Sequence, residues 1–251
     1  MDPLFSVAGL KIVVAGAGGG FGAAMTGALA ERDAEVFAAD HDEDALSRAL
    51  TAPAVRVGGT AVFDATDAAA CDAMLDAAEQ AIGAVNALVN CVGLFKVAPA
   101  LEMDAADYER VLAANAAAPF HLSRAAGRRM VDRGGGRIVH VTSVSSVVAN
   151  PGYAAYAASK GAVAQLVRIL ALEWAASGVT VNAIGPALTD TGLTREFLAA
   201  PENRDYALRR IPMGRFGTPD DVLGALIMLL APSGGFITGQ TIYVDGGRTL
   251  V

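Results

Sequence analysis

Residues 137–160 read RIVHVTSVSSVVANPGYAAYAASK, and the fold turns on them. Ile138-Val139-His140-Val141 is an apolar, β-branched run that reads as a buried strand. Thr142, Ser143, Ser145 and Ser146 follow where a strand of an open parallel sheet would end. Pro151-Gly152 marks a turn, and the alanine-rich run after it predicts a helix carrying Tyr156 and Lys160. Four residues apart on a helix is one face, so the phenol and the ammonium project into the same space. A hydroxyl at a strand end, beside a phenol and a fixed positive charge, is a set of groups for moving a proton. Tyr–Lys pairs at this spacing also arise by chance, and serines after strands are often turn residues, so the flanking chain has to decide.

Upstream, residues 10–15 form a short apolar strand that runs into Gly16-Ala17-Gly18-Gly19-Gly20-Phe21-Gly22 and a helix over 23–32. Strand, glycine-rich turn and helix together aim backbone N–H groups and a helix N-terminus at a pyrophosphate. A Cβ in that turn would block close approach of the backbone. The generic G-x-G-x-x-G fingerprint fits only loosely, and Gly16-x-x-x-Gly20-x-Gly22 describes the loop better. A second strand over 34–39 ends in Asp40, about 20 residues past the glycines, where an acid hydrogen-bonds the adenosine ribose of NAD. A 2′-phosphate would meet that carboxylate directly, and neither the loop nor His41-Asp42-Glu43 offers a Lys or Arg to receive it. NAD is favoured over NADP.

The alternation continues: a helix over 42–50, a strand over 57–63 closed by Asp64, a helix over 68–82, and a strand over 84–92 ending at Asn90-Cys91-Val92-Gly93. Residues 101–133 predict a helix broken near Pro119, with Asn115 at a poor helix position between alanines. Its amide is placed to bend the helix and hold a water near the Tyr–Lys pair. Beyond the central stretch come a strand over 179–184, a polar and less periodic segment over 192–215 that reads as a lid, a helix over 219–230 and a last strand over 240–244. This pattern predicts an α/β fold with a doubly wound, seven-stranded parallel sheet and helices on both faces, in one domain spanning 1–251.

Composition bounds the function. Hydrophobic residues are 53% but aromatics only 6%, so the core is mostly Ala, Val and Leu, suited to close helix-on-sheet packing. A net charge of −7 disfavours nucleic acid, which asks for clustered Lys and Arg. Arg128-Arg129 reads as a solvated helix face. Two cysteines, Cys71 and Cys91, are too few for a disulfide framework and suit a reducing compartment. Without a secretory leader or a membrane-length apolar run, a soluble cytoplasmic protein is expected. Helices over 105–130 and 154–175 carry apolar residues on more than one face, so a homotetramer or homodimer is expected.

Taken in order, these motifs resemble the short-chain dehydrogenase/reductase family along nearly the whole chain: the glycine loop, Asp64, Asn90-Cys91-Val92-Gly93, Asn115, Ser143 and Tyr156-x-x-x-Lys160. Asn182-Ala183-Ile184-Gly185-Pro186 and Tyr243-Val244-Asp245-Gly246-Gly247 match too. Departures are mild: Ala15 stands before the first glycine, the usual Asn-Asn-Ala-Gly is altered, and Pro186 is followed by Ala187. The resemblance implies Tyr156 as general acid/base and Lys160 as its partner and ribose ligand. It implies Ser143, thirteen residues before Tyr156, as donor to the substrate oxygen, and Asn115 as anchor of a proton-relaying water. It further implies cofactor contacts from Gly16, Gly20, Phe21, Gly22, Asp40, Asp64, Ala65, Asn90, Gly93, Tyr156, Lys160, Pro186, Thr189 and Thr191, with no metal. A phenol of pKa about 10 needs roughly 4 kcal/mol of phenolate stabilisation to titrate near 7, which Lys160 and an oxidised nicotinamide are expected to supply.

The expected reaction interconverts a secondary alcohol and a ketone with NAD(H). Arg195, Arg204, Arg209, Arg210 and Arg215 concentrate positive charge in the lid of an otherwise acidic chain. One or two reaching inward would grip a small anionic or polyhydroxylated substrate. Glu173-Trp174-Ala175 and residues 201–217 resemble sugar-acid dehydrogenases such as gluconate dehydrogenases. The alternatives are a 3-oxoacyl-thioester reductase and a catalytically silent NAD-binding redox sensor. An extended-family epimerase or dehydratase shares the Tyr–Lys pair but usually needs a larger C-terminal domain.

Overall fold

The computed structural model describes residues 2–51 and 55–251. Its seven strands are β1 (Lys11–Ala15), β2 (Glu35–Asp40), β3 (Gly59–Val62), β4 (Ala87–Asn90), β5 (Gly136–Val141), β6 (Val179–Pro186) and β7 (Thr241–Val244). They form one parallel sheet in the order β3-β2-β1-β4-β5-β6-β7. The order reverses between β1 and β4, so the chain segments leaving those two strands diverge and open a crevice at the carboxyl edge.

Both faces of the sheet are covered, which is why the strands read as continuous apolar runs rather than alternating ones. Within β1, Val13 and Ala15 join a core layer under α3 (Ala68–Ile82), α5 (Ala118–Arg133) and α6 (Ala154–Trp174). Ile12 and Val14 join the opposite layer, under α1 (Gly20–Ala30), α2 (Glu43–Ala49) and α9 (Leu223–Leu230). Each such Val or Ile contributes about 1.5–3 kcal/mol of burial. Arg129 is not on a solvated face. It is drawn onto α3, where it pairs with Asp76, with Asp72 at 3.4 Å and with Glu79 at 3.7 Å.

The break expected near Pro119 lies just ahead of it. α4 (Ala105–Leu112) widens into a π-helical turn over Ala113–Ala117 before α5 begins. Pro119 has no N–H to give the Asn115 carbonyl four residues back, so regular helical bonding is lost there. The segment expected to be a lid folds as α7 (Arg195–Ala199) and α8 (Pro201–Leu208). Among the described residues no helix is long and apolar enough to cross a membrane.

Candidate active site

The glycine loop leaves β1 at Gly16, whose φ of +81° is a left-handed conformation. A Cβ there would lie 2.8 Å from the backbone of Cys91 and Val92, and one on Gly22 would overlap the Gly16 carbonyl. α1 then opens with no side-chain cap on its first N–H groups. Uncapped donors at a helix start, in a loop no side chain can fill, fit a pyrophosphate. Phe21 lines the cleft beyond, and Thr191 closes over Gly20 so tightly that a Cβ on Gly20 would lie 2.9 Å from its Cβ.

Asp40 ends β2 almost fully buried. One carboxylate oxygen accepts from Gly18 N at 2.8 Å, the other from His41 N at 2.7 Å and Asp42 N at 3.1 Å. His41 Nδ1 sits 2.9 Å from the same side chain. Asp40 thus ties the second strand to the glycine loop and places a negative charge beside it. Asp64 is exposed at the end of β3, holding Thr66 N and Oγ1, and Ala65 is buried behind it.

The Asn90 side chain turns toward β5. Its Oδ1 accepts from Val92 N at 3.0 Å and its Nδ2 lies 3.0 Å from His140 Nδ1. Because an amide NH₂ only donates, Nδ1 must accept, and His140 Nε2–H then donates to Ser123 Oγ at 2.9 Å. Full burial pulls the His140 pKa down to about 3, with the Lys160 charge acting the same way. This neutral histidine holds the segment that leads to Gly93, where a Cβ would come within 3.4 Å of Asn115 Oδ1 and 3.5 Å of Lys160 Nζ.

The Asn115 amide is engaged within the protein. Oδ1 accepts from Leu94 N at 2.6 Å, and Nδ2 donates to Leu94 O at 2.8 Å and Ser159 Oγ at 3.1 Å. It clamps the segment after β4 to α6. That segment also supplies Phe95, whose ring meets Tyr156, Tyr153 and Phe197 edge-on at 5.0, 5.5 and 5.7 Å.

Ser143, Tyr156 and Lys160 converge as predicted. Ser143 Oγ accepts from Ser145 N at 3.1 Å, which fixes the hydroxyl at the head of the cleft that Tyr156 also lines. Lys160 Nζ stands 5.6 Å from the Tyr156 ring centre and donates to the Val141 carbonyl at 3.1 Å. The expected depression of the phenol is absent in the protein alone. Burial pushes Tyr156 up to about 12, a hydrogen bond with Ser143 only partly offsetting it. The same burial brings Lys160 down to about 8. Cys91 packs its sulfur 3.5 Å from that of Met25, and burial holds its thiol at about 12.

On the far wall, Pro186, Thr189 and Thr191 line the cleft, and Thr194 Oγ1 donates to Thr189 O at 2.6 Å. Of the lid arginines only Arg210 lines it; Arg195 and Arg209 are exposed, Arg204 lies over Phe216, and Arg215 pairs with Asp221. Sequence reasoning missed Phe95, Asn150, Tyr153, Thr194 and Arg248, all lining residues. Tyr153, one turn before Tyr156, carried a usable spacing signal; Arg248 carried none.

A family model described as "Enoyl-(Acyl carrier protein) reductase" matches residues 16–249. Galactitol 2-dehydrogenase (L-tagatose-forming) of Cereibacter sphaeroides is 40% identical over 98% of both chains. Gluconate 5-dehydrogenase of Gluconobacter oxydans is 35% identical over 98% of this chain and 97% of its own. A solved gluconate 5-dehydrogenase from Burkholderia cenocepacia, in complex with NADP and tartrate, superposes with a TM-score of 0.93 at 32% identity, covering 99% of this chain and 98% of that one. With these matches running from the glycine loop to the last turn, the chain belongs to the short-chain dehydrogenase/reductase family.

Proposed function

We propose that this protein is an NAD(H)-dependent oxidoreductase that interconverts a secondary alcohol and a ketone in a small polar substrate such as a sugar acid. The observation that carries the reading is the convergence of Ser143 and Tyr156 on one cleft that Phe21 of the glycine loop also lines, with Lys160 buried 5.6 Å from the Tyr156 ring centre. In the oxidative direction Ser143 donates to the substrate oxygen and the Tyr156 oxygen takes the alcohol proton. Lys160, its pKa of about 8 close to working pH, stabilises the phenolate and can pass the proton on. A nicotinamide cofactor held beside them would supply the hydride acceptor. Asn115 and Phe95 are positioning residues: the first fixes Leu94, the second packs against the tyrosine ring.

Asp40 favours NAD(H). A 2′-phosphate would face a buried carboxylate whose oxygens already hold the loop, and charge of like sign there costs several kcal/mol. A cytoplasmic location fits the two free cysteines. Exposed Phe120, Ile169 and Leu172 on α5 and α6 support assembly into a homotetramer or homodimer. Light scattering at micromolar concentration tests that assembly, a monomer mass being the contrary result. A thioester reductase is the second reading, favoured by the description of the matching family model. NADH absorbance over a panel of sugar acids, polyols and 3-oxoacyl thioesters tests the function. Turnover of a sugar acid or polyol with NAD⁺ supports it, and turnover confined to thioesters overturns the substrate class.

A further inference from the structure

The cleft faced by Tyr156 is lined by two arginines, Arg210 and Arg248, and by no aspartate or glutamate. In a chain of net charge −7 that balance runs against the background. Arg248 is only 7% exposed. Its guanidinium donates to Asn150 Oδ1 at 3.0 Å and through Nη1 to a terminal carboxylate oxygen of Val251 at 2.9 Å, and no Asp or Glu side chain is on it among the described residues. Arg210 stacks 3.6 Å from the Tyr206 ring centre and donates to that residue's carbonyl at 3.2 Å, with no acidic partner among the described residues. Two guanidinium groups lining one cleft with donors to spare are the groups that would receive a carboxylate.

Backbone geometry ties their two segments to each other. Gly246 and Gly247 take φ of +59° and +89°, turning the chain after β7 back onto the lid. Met213 N donates to Gly246 O at 3.0 Å, so the residues after Arg210 are pinned to the turn before Arg248. The Asp245 carboxylate accepts from Gly247 N and Thr249 N, which sets the start of the last turn and the direction of Arg248. Arg248 also acts on the cleft itself: its charge opposes the burial that pushes the Tyr153 phenol up to about 12.

We infer that Arg248 and Arg210 form an anion subsite that selects substrates bearing a carboxylate over neutral polyols. The inference rests on reading this cleft as the substrate site, with the reacting carbinol at Ser143 and Tyr156 and the carboxylate at the arginines. It separates this chain in specificity from a relative named for galactitol and aligns it with one named for gluconate.

The test is calorimetric binding of gluconate, tartrate, glycerate and galactitol at low ionic strength, with and without NADH. At least one of the three acids is expected to bind tenfold or more tighter than galactitol. Arg248→Gln and Arg210→Gln should each weaken that acid about tenfold, the loss of a charge-assisted pair, and leave galactitol within about twofold. Arg248→Lys should fall between. Thermal melts identify a misfolded Arg248→Gln, in which case Arg210→Gln and Arg248→Lys decide. Galactitol binding as tightly as the acids, no binding by any acid, or acid affinity indifferent to these changes would each overturn the subsite. NADH titration in the same cell separates the two readings: failure to bind NADH sinks the oxidoreductase assignment, whatever the acids do.

Discussion

The glycine-loop wall and the lid wall meet at one cleft but are built by different means. Around the glycine loop, each constraint is local and made by backbone: a left-handed Gly16, a Gly22 with no room for Cβ, and Asp40 gripping Gly18 N. On the lid side, Arg210 and Arg248 both line the cleft, and their segments are tied where Met213 docks on the turn after β7. The first wall tolerates few residue types and so holds the chemistry common to a family. The second is made of long side chains on short helices and turns, so it can change what is bound without touching the proton transfer.

The largest expected effect lies between the walls, at the proton-transfer group on α6. Tyr156→Phe removes only the titrating oxygen, and should lower kcat by about a thousandfold, the range of general acid–base catalysis, while NADH affinity stays within about threefold. A variant keeping a tenth of wild-type kcat would erase the division of labour between the walls.

Next comes cofactor choice. Wild-type kcat/KM should favour NAD⁺ over NADP⁺ by about a hundredfold, the cost of facing like charges, and Asp40→Ala should narrow the gap by about tenfold. A preference for NADP⁺ would move discrimination off the Asp40–Gly18 contact.

A smaller effect sharpens the picture of the floor under the first wall. His140 is neutral when folded, at about 3, but takes a proton near 6.5 when unfolded. Between those values the unfolded chain binds the extra proton, so stability rises with pH through this window and is lost on acidification, by up to about 1.4 kcal/mol per pH unit below 6.5. Denaturant unfolding at pH 7 and pH 5 measures it. His140→Asn should lose that part of the slope, and an unchanged slope would mean the histidine is not held neutral.

Legibility in the sequence follows the same divide. Helix and strand alternation, the sheet class and the Ser143–Tyr156–Lys160 set were readable because periodicity and fixed spacings encode them within a few dozen residues. Asn115 was legible as a break, but its partner was not: that its amide would clamp Leu94 depends on how the segment after β4 crosses the helix. Asn90 showed its position at a strand end and hid its direction, which is set by His140 on the neighbouring strand. In the protein alone the phenol's pKa is raised rather than lowered, because spacing reports which charge is near, not how dry the site is. Arg248 was invisible, since two positive-φ glycines near the end of the chain say that it turns and not what it turns toward.

That raised phenol gives the most direct test of the central claim, that Tyr156 is the proton-transfer group. Tyrosinate absorbance of wild type minus Tyr156→Phe, titrated with and without saturating NAD⁺, isolates this one residue. Without cofactor the difference should titrate near 12. With NAD⁺ bound it should fall by several units toward neutrality, at about 1.4 kcal/mol per unit. A phenol that stays near 12 with NAD⁺ bound would contradict the assignment.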